Sequence, residues 1–158
     1  MRGITKSFHA GIAGCSARVR ALDGVDLRVL AGEIVGIVGA KGAGKTTLLR
    51  CATGLVVPDR GLIERDGEQL VLIDDPAVDG DESSWEALAR ASIRAAASGK
   101  GVVIAGRTPH LERIATRLLY LEAGRLRGWP SARAVWAPAR VAEHASRLTP
   151  LPGEPSIP

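Results

Sequence analysis

Apolar residues in this chain follow two rhythms. From Val25 to Val29 they alternate with polar ones, which predicts a strand with one face exposed. From Ile34 to Val38 they run without interruption, which predicts a strand covered on both faces, as in a parallel α/β sheet. A turn at Ala31-Gly32-Glu33 separates the two. The Gly-rich loop 39–44 then opens a helix in "KTTLLRCATGL", which Gly54 and Pro58 bring to an end. Residues 61–69, "GLIERDGEQ", read as a hairpin-like edge with its turn at Asp66-Gly67.

A second continuous apolar strand, Leu70–Ile73, runs into the acidic end Asp74-Asp75-Pro76. An alanine-rich helix over about Ser84–Ser98 stops at Gly99. "GVVIAG" (101–106) is another buried strand. Thr108-Pro109 supplies an N-cap and first-turn pair for a helix reaching about Arg117. "RLLYLEAGRLRG" (117–128) predicts a strand, a turn at Ala123-Gly124 and a short return strand. The chain divides at that point. Residues 1–128 carry the patterning of a folded domain. Residues 129–158 are a Pro-, Ala- and Arg-rich tail with at most a weak helix over 131–148 and a disordered end. No internal repeat is visible.

Composition narrows the choices. The chain has 158 residues, 46% hydrophobic and 24% charged, which suits one globular domain with a real core. Aromatics are only 3%, so any base stacking rests on Phe8, Trp85, Tyr120, Trp129 or Trp136. The net charge of +4 is mild and arginine-based, as in the C-terminal residues Arg125, Arg127, Arg133, Arg140 and Arg147. Solvated surface is its ordinary meaning, and a face toward phosphates or an anionic membrane the alternative. No specific nucleic-acid partner is expected. Cys15 and Cys51 make neither a disulfide framework nor a metal-ligand spacing, which fits a reduced, cytoplasmic setting. "IAGC" (12–15) has the look of a lipoprotein cleavage box but lacks the apolar run that must precede one. The longest apolar runs are far too short to span a bilayer.

The chemistry is concentrated in "GAKGAGKT". It matches G-x-x-x-x-G-K-[ST] at Gly39, Gly44, Lys45 and Thr46, between a buried strand and a helix. Glycines let the backbone curl so that its N–H groups point at phosphate oxygens, and the helix N-terminus adds its dipole. Lys45 can reach the β- and γ-phosphates, and the Thr46 hydroxyl suits Mg²⁺. The competing reading is a Gly-rich turn with a chance lysine. The second half of the site is "LVLIDDP". Asp74, at the end of a strand expected next to the P-loop strand, suits water-mediated support of Mg²⁺. Asp75 can orient or deprotonate the attacking water. The competing reading is an acidic surface turn.

Taken together, the motifs resemble the ATP-binding domain of ABC (ATP-binding cassette) transporters. "ITKSF", "ALDGVDL", "GEIVGIVGAKGAGKTTLLR", "GL..PDRGLI" and "DGE" follow that family's order over residues 3–70. "LVLIDDPAVD", "GKGVVIAG" and "LERIATRLLYLEAGRL" resemble its Walker B with D-loop, its strand before the switch loop, and the segment after it. The resemblance implies an α/β fold of P-loop NTPase (RecA-like) type, a parallel sheet core with an N-terminal antiparallel β subdomain. It implies ATP and Mg²⁺ as cofactors. Phe8 would stack on adenine, unless it is a buried apolar anchor. Gly39, Ala40, Lys41, Gly42, Ala43, Gly44, Lys45, Thr46 and Thr47 would hold the triphosphate. Thr46 and Asp74 would support the metal, and Asp79 would stand in the D-loop.

The sequence also departs from that family. Its Q-loop, helical subdomain and LSGGQ-type signature belong between the hairpin and Walker B, where this chain has only a few residues and no such string. Gln69, the only glutamine, sits too close to Walker B for a normal Q-loop. Asp75 replaces the catalytic glutamate and is one methylene shorter; a displacement of about 1 Å can cost on the order of a hundredfold in rate. Gly106 and Arg107 stand where the switch histidine belongs. Arg107 can touch a γ-phosphate as a fixed cation but cannot exchange a proton. His110, three residues on, is a candidate to substitute for that histidine, but as second residue of its helix it is expected to be exposed. Met1 enters near the end of what would be the first strand.

Two functions follow as expectations. One is a reduced ABC-type ATP-binding subunit with weak or partner-dependent hydrolysis, with a full-length ABC ATPase and a transmembrane permease as its candidate partners at the inner face of the membrane. The other is a catalytically inactive nucleotide-sensing or scaffolding module. A decayed gene product or a piece of a longer protein is a third reading, and the clean strand patterning argues against extensive decay. A P-loop kinase would need neither "ALDGVDL" nor the "GxIxxDG" hairpin.

Overall fold

A computed structural model of the chain describes residues 1–12, 15–64, 69–74, 82–106 and 108–128. The turn at Asp66-Gly67, Asp75, Asp79, Arg107 and the tail 129–158 lie outside the described residues.

Two sheets are stacked around one apical loop. The first is antiparallel. β1 (Arg2–Ile12) pairs with β2 (Cys15–Val25) on one side and with β4 (Arg60–Leu62) on the other. The second contains, in spatial order, β5 (Leu70–Asp74), β6 (Gly101–Gly106), β3 (Ile34–Val38), β7 (Arg117–Glu122) and β8 (Arg125–Gly128). β5, β6, β3 and β7 run parallel, and β8 turns back antiparallel on β7.

β3 divides the core in two because successive strand residues face opposite ways. Val35 and Ile37 join Ile4, Leu22, Leu48, Leu49 and Leu121, on the side of α1 (Lys45–Thr53) and the β1–β2 hairpin. Ile34 and Val38 join Trp85, Ile93, Ile104, Leu111 and Leu118, on the side of α2 (Glu82–Ala97) and α3 (Thr108–Leu111). Every residue of β3 and β6 is buried, as continuous apolar runs require. β5 is the edge strand and is only half covered. Its apolar run reports a parallel sheet, but one of its sides has no neighbour among the described residues.

Several expectations are corrected. Val25–Val29 is not a strand: β2 ends at Val25, and the next residues bond to the chain's start. The Met1 amine donates to the Leu27 carbonyl at 2.9 Å and Leu27 N–H to the Met1 carbonyl at 3.1 Å. The alternating burial is nevertheless real, with Val25 and Leu27 inside and Asp26 and Arg28 outside. Met1 does not enter near a strand's end, since the 11-residue β1 begins at Arg2. The strand in 61–69 is the short β4, whose partner is β1.

α3 does not reach Arg117, and Thr108 lies inside it as its first residue. The chain turns because Thr116 is drawn back onto β3. Its N–H donates to the Ile34 carbonyl at 2.8 Å, and its Oγ1 both accepts from Ile34 N–H at 3.0 Å and donates to that carbonyl at 2.9 Å.

Candidate functional site

The loop after β3 is built from glycines that no other residue replaces. Gly44 has φ 108°, a left-handed conformation that disfavours any Cβ. A Cβ there would also collide with the Ala21 carbonyl of β2. At Gly39 a Cβ would collide with the Leu121 carbonyl of β7. The loop is therefore clamped between hairpin and parallel sheet. The β7–β8 turn closes the clamp, with Gly124 N–H donating to Ala43 at 3.3 Å and Asp23 N–H to Gly124 at 2.9 Å. That turn carries the positive φ values at Ala123 (47°) and Gly124 (76°) expected of a two-residue hairpin.

The clamp leaves the backbone donors open. Gly44 caps α1 without a side-chain hydrogen bond. The amides of Gly42, Gly44, Lys45, Thr46 and Thr47 have no acceptor among the described residues, while Ala43 N–H turns back to Ala40 at 3.2 Å. Unpaired N–H groups at the start of a helix attract anions, through their own partial charge and the helix dipole. The Lys45 ammonium folds back on the start of the same loop, donating to the carbonyls of Gly39 at 2.7 Å and Ala40 at 3.0 Å. Two of its donors are so engaged, which leaves a third.

The other predicted residues are disposed around this loop. Thr46 is exposed on the first turn of α1, and Thr47 is half-buried beside it. Asp74 ends β5 in an exposed position. It is not on a strand next to β3, because β6 lies between: Asp74 is level with Ala105, and Ala105 with Ile37. Two strand spacings put Asp74 about 10 Å from Ile37, at the same end of the sheet as the loop. The hydroxyl of Thr46 and the carboxylate of Asp74 are hard oxygen donors on that end, a set that fits Mg²⁺.

Phe8 is not a buried anchor. It is 42% exposed on β1, with the Lys6 ammonium 5.6 Å from its ring centre and Val19 as cross-strand partner. Lys6 and Phe8 share the face of the hairpin that carries Leu22, and Leu22 touches the Gly44 position. Phe8 thus stands about 7 Å further along β1 from the Lys6–Leu22 pair on the loop's own face. His110 is not exposed: it is half-buried, with its ring 4.9 Å from that of the buried Trp85 and tilted by 40°. Sequence reasoning missed the roles of Ala21, Leu121 and Gly124 as walls of the loop. Of these only Gly124 left a signal, as a turn glycine.

The class of protein follows from this arrangement of a parallel sheet, a glycine loop leading into a helix, and an antiparallel hairpin over the loop. Solved ATP-binding cassettes share it. A dimeric ATP-binding cassette in a post-hydrolysis state, bound to ADP and Pi, superposes with a TM-score of 0.69 at 15% identity over 80% of this chain and 97% of its own. A nucleotide-free ATP-binding cassette from an ABC transporter gives 0.67 at 14% identity over 90% and 96%. These likenesses define the fold as that of P-loop NTPase cassettes. The ABC transporter family model matches residues 22–100, half of the chain, and the chain belongs to that family. The methionine import ATP-binding protein MetN of Brucella abortus is 48% identical over 58 residues, 37% of this chain and 16% of that protein. Its Escherichia coli counterpart is 42% identical over 73 residues, 46% of this chain and 20% of that protein. The match thus spans about a sixth to a fifth of the length of these curated relatives.

Proposed function

We propose that this chain binds Mg-ATP at its P-loop as an ATP-binding subunit of ABC type, and that it hydrolyses ATP weakly or only with a partner. The observation that carries this reading is the loop Gly39–Thr47, whose amides at Gly42 and Gly44–Thr47 have no acceptor among the described residues and whose Lys45 ammonium donates back to the Gly39 and Ala40 carbonyls. Thr46 and Asp74 would hold Mg²⁺, which would neutralise phosphate charge. Phe8 would lie against the adenine ring, its exposure leaving a face to stack on.

Weak turnover rests on the sequence. Asp75 is shorter than the family's glutamate, and Arg107 replaces a residue that exchanges protons. No LSGGQ-like string is available to cap a neighbour's ATP. A full-length ABC ATPase would supply that cap, and association with a permease would place the subunit at the inner face of the membrane. No helix among the described residues is long and apolar enough to cross a membrane. Methionine import belongs to the relatives and is not carried over, because the match spans only about a sixth to a fifth of those proteins.

A second reading, a nucleotide-sensing or scaffolding module without catalysis, draws on the same Asp75 and Arg107. The test is titration of a fluorescent ATP analogue with Mg²⁺ beside Lys45→Ala. Micromolar binding lost in the variant is the expected result. Absence of binding by the intact chain sinks the ATP-binding claim. Turnover abolished by Asp75→Asn then favours the ATPase, and undetectable turnover with intact binding favours the sensor.

A further inference from the structure

The face of the β1–β2 hairpin away from the P-loop holds a polar cavity of about 210 Å³. Along β1, Thr5 and Ser7 alternate with Ile4, Lys6 and Phe8, so they face outward where the latter face the core and the loop. Arg20 and Arg18 stand opposite Ser7 and His9 on β2, and Arg60 opens β4 opposite Thr5. Three guanidinium groups and two hydroxyls thus line one hollow, together with Asp23 and Asp59.

The two carboxylates are already matched. Asp23 is bridged by Arg125 at 2.8 Å and Arg20 at 3.0 Å. Asp59 is bridged by the Lys6 ammonium at 2.9 Å and accepts the Ser7 amide at 2.8 Å. The guanidiniums of Arg18 and Arg60 make no hydrogen bond and no close ion pair among the described residues, Arg18 acting on Asp59 only through its charge at longer range, and the Ser7 hydroxyl makes no hydrogen bond there. Two guanidiniums without a hydrogen-bonded partner, beside donor hydroxyls, match a doubly charged, multi-oxygen anion. Planar guanidinium forks favour phosphate oxygens over a point anion such as chloride.

We infer that this cavity is a phosphate-monoester site, separate from the P-loop, in which Arg18 and Arg60 grip the anion and Ser7 donates to it. The phosphate can come from a soluble monoester or from the headgroup of a membrane lipid, and the chemistry at the site is the same.

The intact chain is titrated with inorganic phosphate at neutral pH, with backbone amide and arginine Nε–H signals followed by NMR. In parallel it is sedimented with phosphatidylcholine vesicles with and without phosphatidic acid. The expected result is saturable shifts at Ser7, Arg18 and Arg60, resolved from any at Gly42–Thr47, and a roughly tenfold or greater loss of affinity in Arg18→Gln or Arg60→Gln. Arg18→Lys keeps the charge and retains part of the response, and Arg127→Gln on β8 leaves it unchanged. Shifts without vesicle binding assign a soluble monoester. Arginine-dependent sedimentation with phosphatidic acid, with weak or no shifts from free phosphate, assigns a lipid headgroup. Shifts confined to Gly42–Thr47, together with sedimentation that is absent or indifferent to Arg18 and Arg60, overturn the proposal. An acidic protein surface would then be the remaining partner for this patch.

Discussion

Glu33 and Arg117 are 84 positions apart in the chain, yet the Arg117 Nε donates to Glu33 Oε1 at 2.9 Å. The second carboxylate oxygen of Glu33 accepts the Leu30 amide at 2.9 Å. One side chain thereby ties the turn before β3 to the start of β7, beside the Thr116–Ile34 bonds. The glutamate is mostly covered (15% exposed) and the arginine is not (41%), so solvent screens part of the pair. Glu33→Ala is expected to lower unfolding free energy by roughly 1–2 kcal/mol, with about 1 kcal/mol of it coupled to Arg117. A double-mutant cycle in urea measures this; zero coupling refutes the tie.

The loop glycines separate strain from collision. Gly42 (φ 83°) has open space around its missing side chain, while Gly44 (φ 108°) faces the Ala21 carbonyl. Gly42→Ala is expected to cost about 1 kcal/mol, the price of a left-handed alanine. Gly44→Ala must also move β2 or the loop. It is expected to cost about 2–3 kcal/mol and to weaken binding of the ATP analogue at least tenfold. Equal effects of the two substitutions on stability and binding would contradict the clamp.

Acid sensitivity should be readable at two aspartates. Asp59 is held below the ordinary carboxylate range by its hydrogen bond from Lys6 and then by the Ser7 amide. Asp23 is lowered first by the hydrogen bond from Arg125. A depressed folded-state pKa means that the stabilisation is complete above the unfolded carboxylate's range and is lost as pH falls through the lowered value. The urea midpoint of the wild type should therefore drop between pH 6 and strongly acidic solution, and drop less in Asp59→Asn or Asp23→Asn. An unchanged pH slope in both variants would count against these bonds.

Trp85 anchors α2 over the sheet, and His110 covers one side of its ring. Trp85→Ala is expected to cost about 3–5 kcal/mol, from lost burial and the cavity left behind. His110→Ala should cost roughly 0.5–1.5 kcal/mol, the scale of one aromatic contact. Thermal melts read both, and a His110→Ala variant as stable as the wild type would make the ring contact incidental.

Cys51 is buried against the hairpin core, and burial pushes its thiol above the ordinary range. In a Cys15→Ser background, alkylation should be negligible in the folded chain and complete in denaturant. Fast native-state labelling would mean that α1 opens locally.

Much of this protein follows from short-range pattern. Uninterrupted apolar runs set β3 and β6 to the residue, because a strand buried on both faces tolerates no polar interruption. Gly54, Gly99 and Ala123-Gly124 end their elements by backbone geometry that neighbours hardly influence. The phosphate loop was legible for the same reason, since glycine spacing before a helix is a local constraint. What tertiary structure alone decided was who stands beside whom. It put β6 between Asp74 and the P-loop strand, drew Thr116 back to Ile34 and so cut α3 short, and turned His110 onto Trp85. It set Ala21 and Leu121 against the loop and gathered Arg18, Arg20 and Arg60 over one cavity. These are contacts between residues tens of positions apart. Their energies depend on sheet order and register, which no short window of sequence contains.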